Sequence, residues 1–204
     1  GIDEVKAEVH RIVRNVQKAR SENPNADVRV MHHYLFLGNP GTGKTTDCSC
    51  ILYILYQLGV LPNGQFIEVR RESLVGEYIG TTAPKTMQAV ESAMGGVPFI
   101  DEAYMLCKET TDNRDFGREA IDTLLGPLEN QKGDFVCIAT GYTKEMMERF
   151  IPSNPGLKSR FDTHITFHDY TAPQLHGIFM GMLKKSGYTL SEEAEHRLSH
   201  FFED

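Results

Sequence analysis

Two hydrophobic rhythms alternate along this chain. Val5, Val9, Ile12, Val13 and Val16 recur at helical spacing, which predicts an amphipathic helix over residues 3 to 20, ended by the polar stretch Ser21 to Asp27. Short apolar runs of strand length come next: Tyr34 to Leu37, Phe66 to Arg70, Val97 to Ile100, Phe135 to Ala139 and His164 to Phe167. Helical spacing returns between them, from Lys44 to about Leu58 with Gly59 as a stop, from Thr82 to Met94 before Gly95-Gly96, and from Asp115 to Gln131. Gly126-Pro127 predicts a kink in the last of these. Strands alternating with helices predict an α/β fold, a parallel five-stranded sheet covered on both faces. Pro98 is the misfit, because proline removes a ladder N–H from what should be a central strand.

After Tyr170 the alternation stops. Thr171 with Pro173, and then Ser191, read as the starts of two further helices. The predicted organisation is therefore an α/β domain over residues 1 to 170 and the beginning of a small helical domain over 171 to 204.

The first apolar run ends in Gly38-Asn39-Pro40-Gly41-Thr42-Gly43-Lys44-Thr45-Thr46. The spacing Gly-x-x-x-x-Gly-Lys-Thr between a strand and a helix is that of a phosphate-binding loop, so the fold class narrows to a P-loop NTPase. Gly38, Gly41 and Gly43 let backbone N–H groups turn inward toward phosphate oxygens. Lys44 brings a positive charge to the β and γ phosphates, Thr45 a hydroxyl for Mg²⁺, and the following helix its N-terminal dipole. The third strand exits into Asp101-Glu102. In a parallel sheet beside such a loop, Asp101 is placed to enter the Mg²⁺ shell and Glu102 to polarise an attacking water, which points to hydrolysis as well as binding.

Composition trims the options. The net charge of −7 over 204 residues argues against broad contact with a nucleic-acid backbone. No apolar run approaches the length of a membrane span. Cys48, Cys50, Cys107 and Cys137 form no paired metal-type doublets and read as free thiols in a reducing, soluble compartment such as the cytoplasm or a plastid stroma. His32 and His33 read as partly exposed structural residues at a strand start. A start at Gly1 and an end at Phe201-Phe202-Glu203-Asp204 without a cap read as a piece of a longer protein.

Taken together and in this order, GNPGTGKTT, LVGEYIG, GGVPFIDEAY, DFGREAIDTLL, GYTKEM and NPGLKSRF resemble the AAA+ ATPases of the CbbX/CfxQ type, which include red-type Rubisco activases and sporulation-stage V protein K-like ATPases. The resemblance implies ATP and Mg²⁺ as the bound species, with Lys44 and Thr45 as Walker A contacts and Asp101 and Glu102 as Walker B metal-shell acid and catalytic base. It implies a polar γ-phosphate sensor near Thr140, although the more usual Asn is absent from Ala139-Thr140-Gly141-Tyr142. It implies an arginine finger at Arg160, with Arg149 as rival, reaching a neighbouring subunit's nucleotide; a homo-oligomeric ring, a hexamer, follows from that. Tyr78-Ile79-Gly80 is similar to the aromatic loop that grips a protein substrate in a central pore, and Lys108 to Arg114 is a second candidate pore loop. Asp47-Cys48-Ser49-Cys50 departs from the family pattern just behind the phosphate loop, and a second-sensor arginine is expected beyond Asp204, Arg197 being too early. The leading expectation is an ATP-hydrolysing protein remodeller. A nucleotide-controlled switch or scaffold with weak turnover, and a nucleic-acid motor, are the alternatives.

Overall fold

The computed structural model describes residues 2–107 and 116–191 together with Ala194, Arg197 and Leu198. Lys108 to Arg114, the second candidate pore loop, and most of the helix expected after Ser191 lie outside the described residues, as does the side chain of Asp47. The chain divides into two compact units, Gly1–Phe167 and His168–Asp204. No helix among the described residues is long and apolar enough to cross a membrane.

In the first unit α1 (Ile2–Glu22) leads into β1 (Tyr34–Gly38), α2 (Lys44–Gln57), β2 (Phe66–Val69), the short α3 (Arg71–Leu74), α4 (Thr82–Ser92) and β3 (Val97–Ile100). A 3₁₀ turn (Ala103–Cys107) and α5 (Phe116–Asn130) precede β4 (Ile138–Gly141). The chain then winds through α6 (Thr143–Glu145), a π-helical turn (Met146–Phe150), α7 (Ile151–Ser153) and α8 (Pro155–Arg160) into β5 (Thr163–Phe167). All pairings in the sheet are parallel, in the order β2-β3-β4-β1-β5.

Alternation along the strands sorts the core into two layers. Tyr34, Phe36, Val97, Phe99, Ile138, Ile165 and Phe167 face α1 and α2, packing with Val5, Ile12, Val16, Ile51 and Leu55. Leu35, Leu37, Ile100 and Ala139 face the other way, onto Val90, Ile121, Leu124, Leu128 and Phe150. β1, buried along its whole length, lies between the two layers and between two strands. Residues on such a strand have no solvent face, which is why it reads as a continuous apolar run.

Two local expectations are corrected. The fourth strand begins at Ile138, not Phe135, because the preceding groups are otherwise engaged: Cys137 N–H donates to His33 Nδ1 at 3.0 Å and Val136 N–H to the Gly96 carbonyl at 3.1 Å. His33 itself is buried at 1% exposure, not partly exposed. Since Nδ1 accepts from a backbone N–H, the proton sits on Nε2, which donates to the Leu128 carbonyl at 3.0 Å. Burial then lowers the His33 pKa to about 4. At Gly126-Pro127, where a kink was expected, α5 is one continuous helical element with Pro127 buried inside it.

Pro98 also finds an explanation. Val97 and Asp101 donate their N–H groups toward β2, to Gln65 and Val69, so alternation turns the missing N–H of Pro98 toward β4. On that side Val136 N–H still donates to the Gly96 carbonyl at 3.1 Å, the return bond from position 98 is absent, and the paired ladder begins at Phe99 with Ile138, so the cost is one bond at the start of the strand. In the second unit α9 (Ala172–Lys185) follows Thr171, whose N–H donates to Gln174 Oε1 at 2.9 Å across its first turn.

Candidate active site

The carboxyl ends of β1, β3 and β4 converge on one cleft of about 390 Å³. Gly38, Pro40, Gly41, Gly43, Lys44, Thr45 and Thr46 line it from the first of these, Asp101, Glu102 and Tyr104 from the second, and Gly141 and Tyr142 from the third. Of the loop residues named from the sequence, Asn39 and Thr42 do not line the cleft. They brace the loop instead, the buried Thr42 donating its hydroxyl to the Asn39 carbonyl at 2.7 Å. Gly38 is required by space, because a Cβ there would run into the Phe167 carbonyl of β5. Gly43 caps α2 in the left-handed region, at φ 89°, which brings the helix N-terminus around to the cleft.

Lys44 Nζ donates to the carbonyls of Gly38 and Asn39 at 3.0 and 2.6 Å, which holds the ammonium over the loop. Burial lowers its pKa, against the pull of the Asp101 and Glu102 carboxylates. Burial raises the pKa of Asp101, opposed by Arg70, whose guanidinium lies 3.3 Å away. Glu102 stands in the left-handed region at φ 50°, the one non-glycine to do so among the described residues. Its carbonyl accepts from Met105 N–H at 2.8 Å, so the chain bends sharply into the 3₁₀ turn directly after the strand. The Glu102 side chain accepts the Tyr104 hydroxyl at 3.2 Å. Burial first, then the Glu102 charge, push the Tyr104 pKa up to about 12, so this hydroxyl is a neutral donor at physiological pH.

Thr140 is not at the cleft. It is 0% exposed, and its hydroxyl has no hydrogen-bond partner among the described residues, while the next two residues, Gly141 and Tyr142, reach the lining. Sequence reasoning did not single out Tyr104 and Tyr142 as lining residues, although both stand in the runs GGVPFIDEAY and GYTKEM. Their rings are 5.8 Å apart.

Arg160 does not line the cleft of its own chain. At the end of α8 it lies 3.3 Å from Glu129 of α5 and donates to Ser159 Oγ at 2.8 Å. Arg149 is paired with Glu145 at 2.8 Å and donates to the Cys107 carbonyl at 3.3 Å. Tyr78 and Ile79 are 73% and 77% exposed and stand at the tip of a closed turn. In it Thr81 Oγ1 donates to the Tyr78 carbonyl at 2.7 Å, and Gly80 has φ 81°. Gly76 N–H donates to the buried Thr82 hydroxyl at 3.1 Å at the base of the same loop. Arg197 is described and belongs to the second unit.

The donor set fits MgATP. Among the described residues no group of three or more His, Cys, Asp or Glu forms a metal cage. A hydroxyl (Thr45) and one carboxylate (Asp101) beside a phosphate loop suit an ion that keeps waters and takes its other ligands from phosphate oxygens. The loop offers backbone N–H groups and an ammonium for those phosphates.

The family model for "ATPase family associated with various cellular activities (AAA)" matches residues 34–169. The CfxQ homolog of Galdieria sulphuraria is 52% identical over 163 residues, 80% of this chain and 53% of that protein. The chloroplastic ribulose bisphosphate carboxylase/oxygenase activase of Cyanidioschyzon merolae is 51% identical over 163 residues, 80% of this chain and 55% of the relative. Stage V sporulation protein K of Bacillus subtilis is 41% identical over 203 residues, 98% of this chain and 62% of the relative. The chain thus spans a little over half the length of these curated relatives. The crystal structure of the FIGL-1 AAA domain in complex with ADP superposes with a TM-score of 0.65 at 19% identity, covering 100% of this chain and 64% of that one, a likeness of fold.

Proposed function

Since this chain belongs to the AAA ATPase family and has relatives of the CfxQ type, we propose that it binds MgATP in the cleft at the end of β1 and hydrolyses it to drive remodelling of a protein substrate. The observation that carries this reading is the meeting of Lys44 and Thr45 with Asp101 and Glu102 in one cleft, from two strands distant in sequence.

Lys44 leaves the Gly38 and Asn39 carbonyls for the β and γ phosphates, and the loop N–H groups and the α2 N-terminus orient them. Thr45 and Asp101 would hold Mg²⁺, which when bound would neutralise the charge that builds up on the phosphate oxygens. Glu102 takes a proton from the attacking water as its oxygen bonds to the γ-phosphorus. The bond to the β-phosphate oxygen breaks, and ADP carries away the electron pair. Arg160, outside its own cleft, acts in a neighbouring subunit, which makes the working form a homo-oligomeric ring, a hexamer in our reading. The exposed pair Tyr78-Ile79, on a turn closed by Thr81, contacts the substrate polypeptide in the ring's pore, where an aromatic gives a large contact at low entropic cost. The segment His168–Asp204 begins the helical lid. A relative is named as an activase of ribulose bisphosphate carboxylase/oxygenase, and we extend to this chain the substrate class, an assembled protein.

Steady-state ATP hydrolysis by the full-length protein tests the reading. Lys44→Ala abolishes nucleotide binding and turnover. Glu102→Gln keeps ATP binding and loses at least about 100-fold in kcat, in line with removal of a general base. Turnover by Glu102→Gln at the wild-type rate would falsify the assignment. Nucleotide binding without measurable wild-type turnover at any protein concentration would favour the switch or scaffold reading.

A further inference from the structure

Glu102 is held from two sides, by a strained backbone and by a neighbour on its own 3₁₀ turn. Its φ of 50° turns the main chain so that residue 104 comes back beside it, and the Tyr104 hydroxyl donates to Oε1 at 3.2 Å. A carboxylate has two oxygens, so a donor fixed on one sets the rotation of the group and leaves the other for water. The Tyr104 ring is itself fixed. It is buried, and it packs 5.8 Å from the Tyr142 ring. Gly141 leaves it room: a Cβ at that position would stand 2.7 Å from Tyr104 Cδ1 and 2.8 Å from Met146 Sδ. The end of β4 therefore sets the ring, the ring sets the hydroxyl, and the hydroxyl sets the carboxylate.

We propose that Tyr104 is a positioning residue for Glu102, and that the glycine at 141 is present so that the tyrosine ring can reach the carboxylate. The proposal rests on the reading of Glu102 as the base that activates water. Tyr104 shares the cleft lining with Glu102, and in this scheme its hydroxyl acts on the reaction through the Glu102 carboxylate it is bonded to. Tyr142 lines the cleft and contacts the same ring, so occupation of the cleft and the set of the base are mechanically linked.

The experiment measures kcat, KM and thermal midpoint for Tyr104→Phe, Glu102→Gln and the double variant of the full-length protein, with single-turnover assays for the slow forms. Tyr104→Phe keeps the ring and removes only the hydroxyl. The expected result is a fall in kcat of about tenfold, the kinetic size of one charge-assisted hydrogen bond, with KM and midpoint unchanged. In the Glu102→Gln background the same change is expected to cost nothing further, because the group it positions is gone. Gly141→Ala, which crowds the ring, is expected to lower kcat in the wild-type background and not in the Glu102→Gln background. A wild-type kcat for Tyr104→Phe, or an equal loss in both backgrounds, overturns the proposal and leaves the role of Glu102 standing. Wild-type turnover by Glu102→Gln alone overturns the reading beneath it.

Discussion

Glu102 and His33 are each kept in a state they would not choose in a free chain. A non-glycine in the left-handed region costs on the order of 1 to 3 kcal/mol, and such strain gathers where function requires a fixed geometry. Glu102→Gly is expected to raise the urea-unfolding free energy by about 1 kcal/mol while destroying turnover, a trade visible in parallel denaturation and ATPase measurements. His33 is held neutral. Its folded pKa of about 4 lies below the ordinary 6.5, so between those values the unfolded chain takes up a proton that the folded one refuses. Stability is retained above pH 6.5 and lost as pH falls toward 4, by about 2 kcal/mol at pH 5. Urea denaturation at pH 7 and pH 5 should show this slope in wild type and lose most of it in His33→Gln. Lys44, Thr45, Asp101 and Glu102 were legible because phosphate and metal chemistry dictates residue type at fixed spacing. Tyr104 was not, because its role depends on a backbone angle two residues away. For Thr140 the sequence placed a polar residue near the strand end but did not disclose that its side chain is buried and outside the lining.

At the level of elements, helices and strands followed their hydrophobic periods closely. The misses came where a side chain took over a backbone bond, as His33 does at Cys137, and over 143–160, where a series of short helical turns went unread. Gly126 on that helix is exposed, and a Cβ added to it would meet no atom within 4 Å. Gly126→Ala is therefore expected to stabilise the fold by about 0.5 to 1 kcal/mol, seen as a higher urea midpoint with the slope unchanged. The turn over Tyr78 to Thr81 is where the two proposed functions, hydrolysis and substrate contact, can be tested apart. Tyr78→Ala is expected to leave basal ATP hydrolysis within about twofold and to abolish substrate remodelling, since the side chain is 73% exposed and its loss opens no cavity in the core. Loss of both together would mark the tyrosine as structural.

At the largest scale, the cleft gathers the groups proposed for binding, metal and water activation, whereas Arg160 sits outside it, beside Glu129. If that arginine completes a neighbour's site, specific ATPase activity rises with protein concentration as subunits associate, and Arg160→Ala lowers the plateau by about 10³-fold or more with little effect on nucleotide affinity. Arg149→Ala is the control, since that side chain is already bonded to Glu145 and Cys107. One further consequence lies in the placement of β1. The strand that carries the phosphate loop pairs with β4 on one side and β5 on the other, and both are made long after it, β5 ending only at Phe167. A ribosome-bound chain that stops short of Thr163 leaves β1 with an open edge and Gly38 without the Phe167 backbone it packs against. If the cleft binds ATP as proposed, nucleotide capture is expected only after β5 has been made, and ATP affinity measured on chains truncated before Thr163 and after Phe167 checks this.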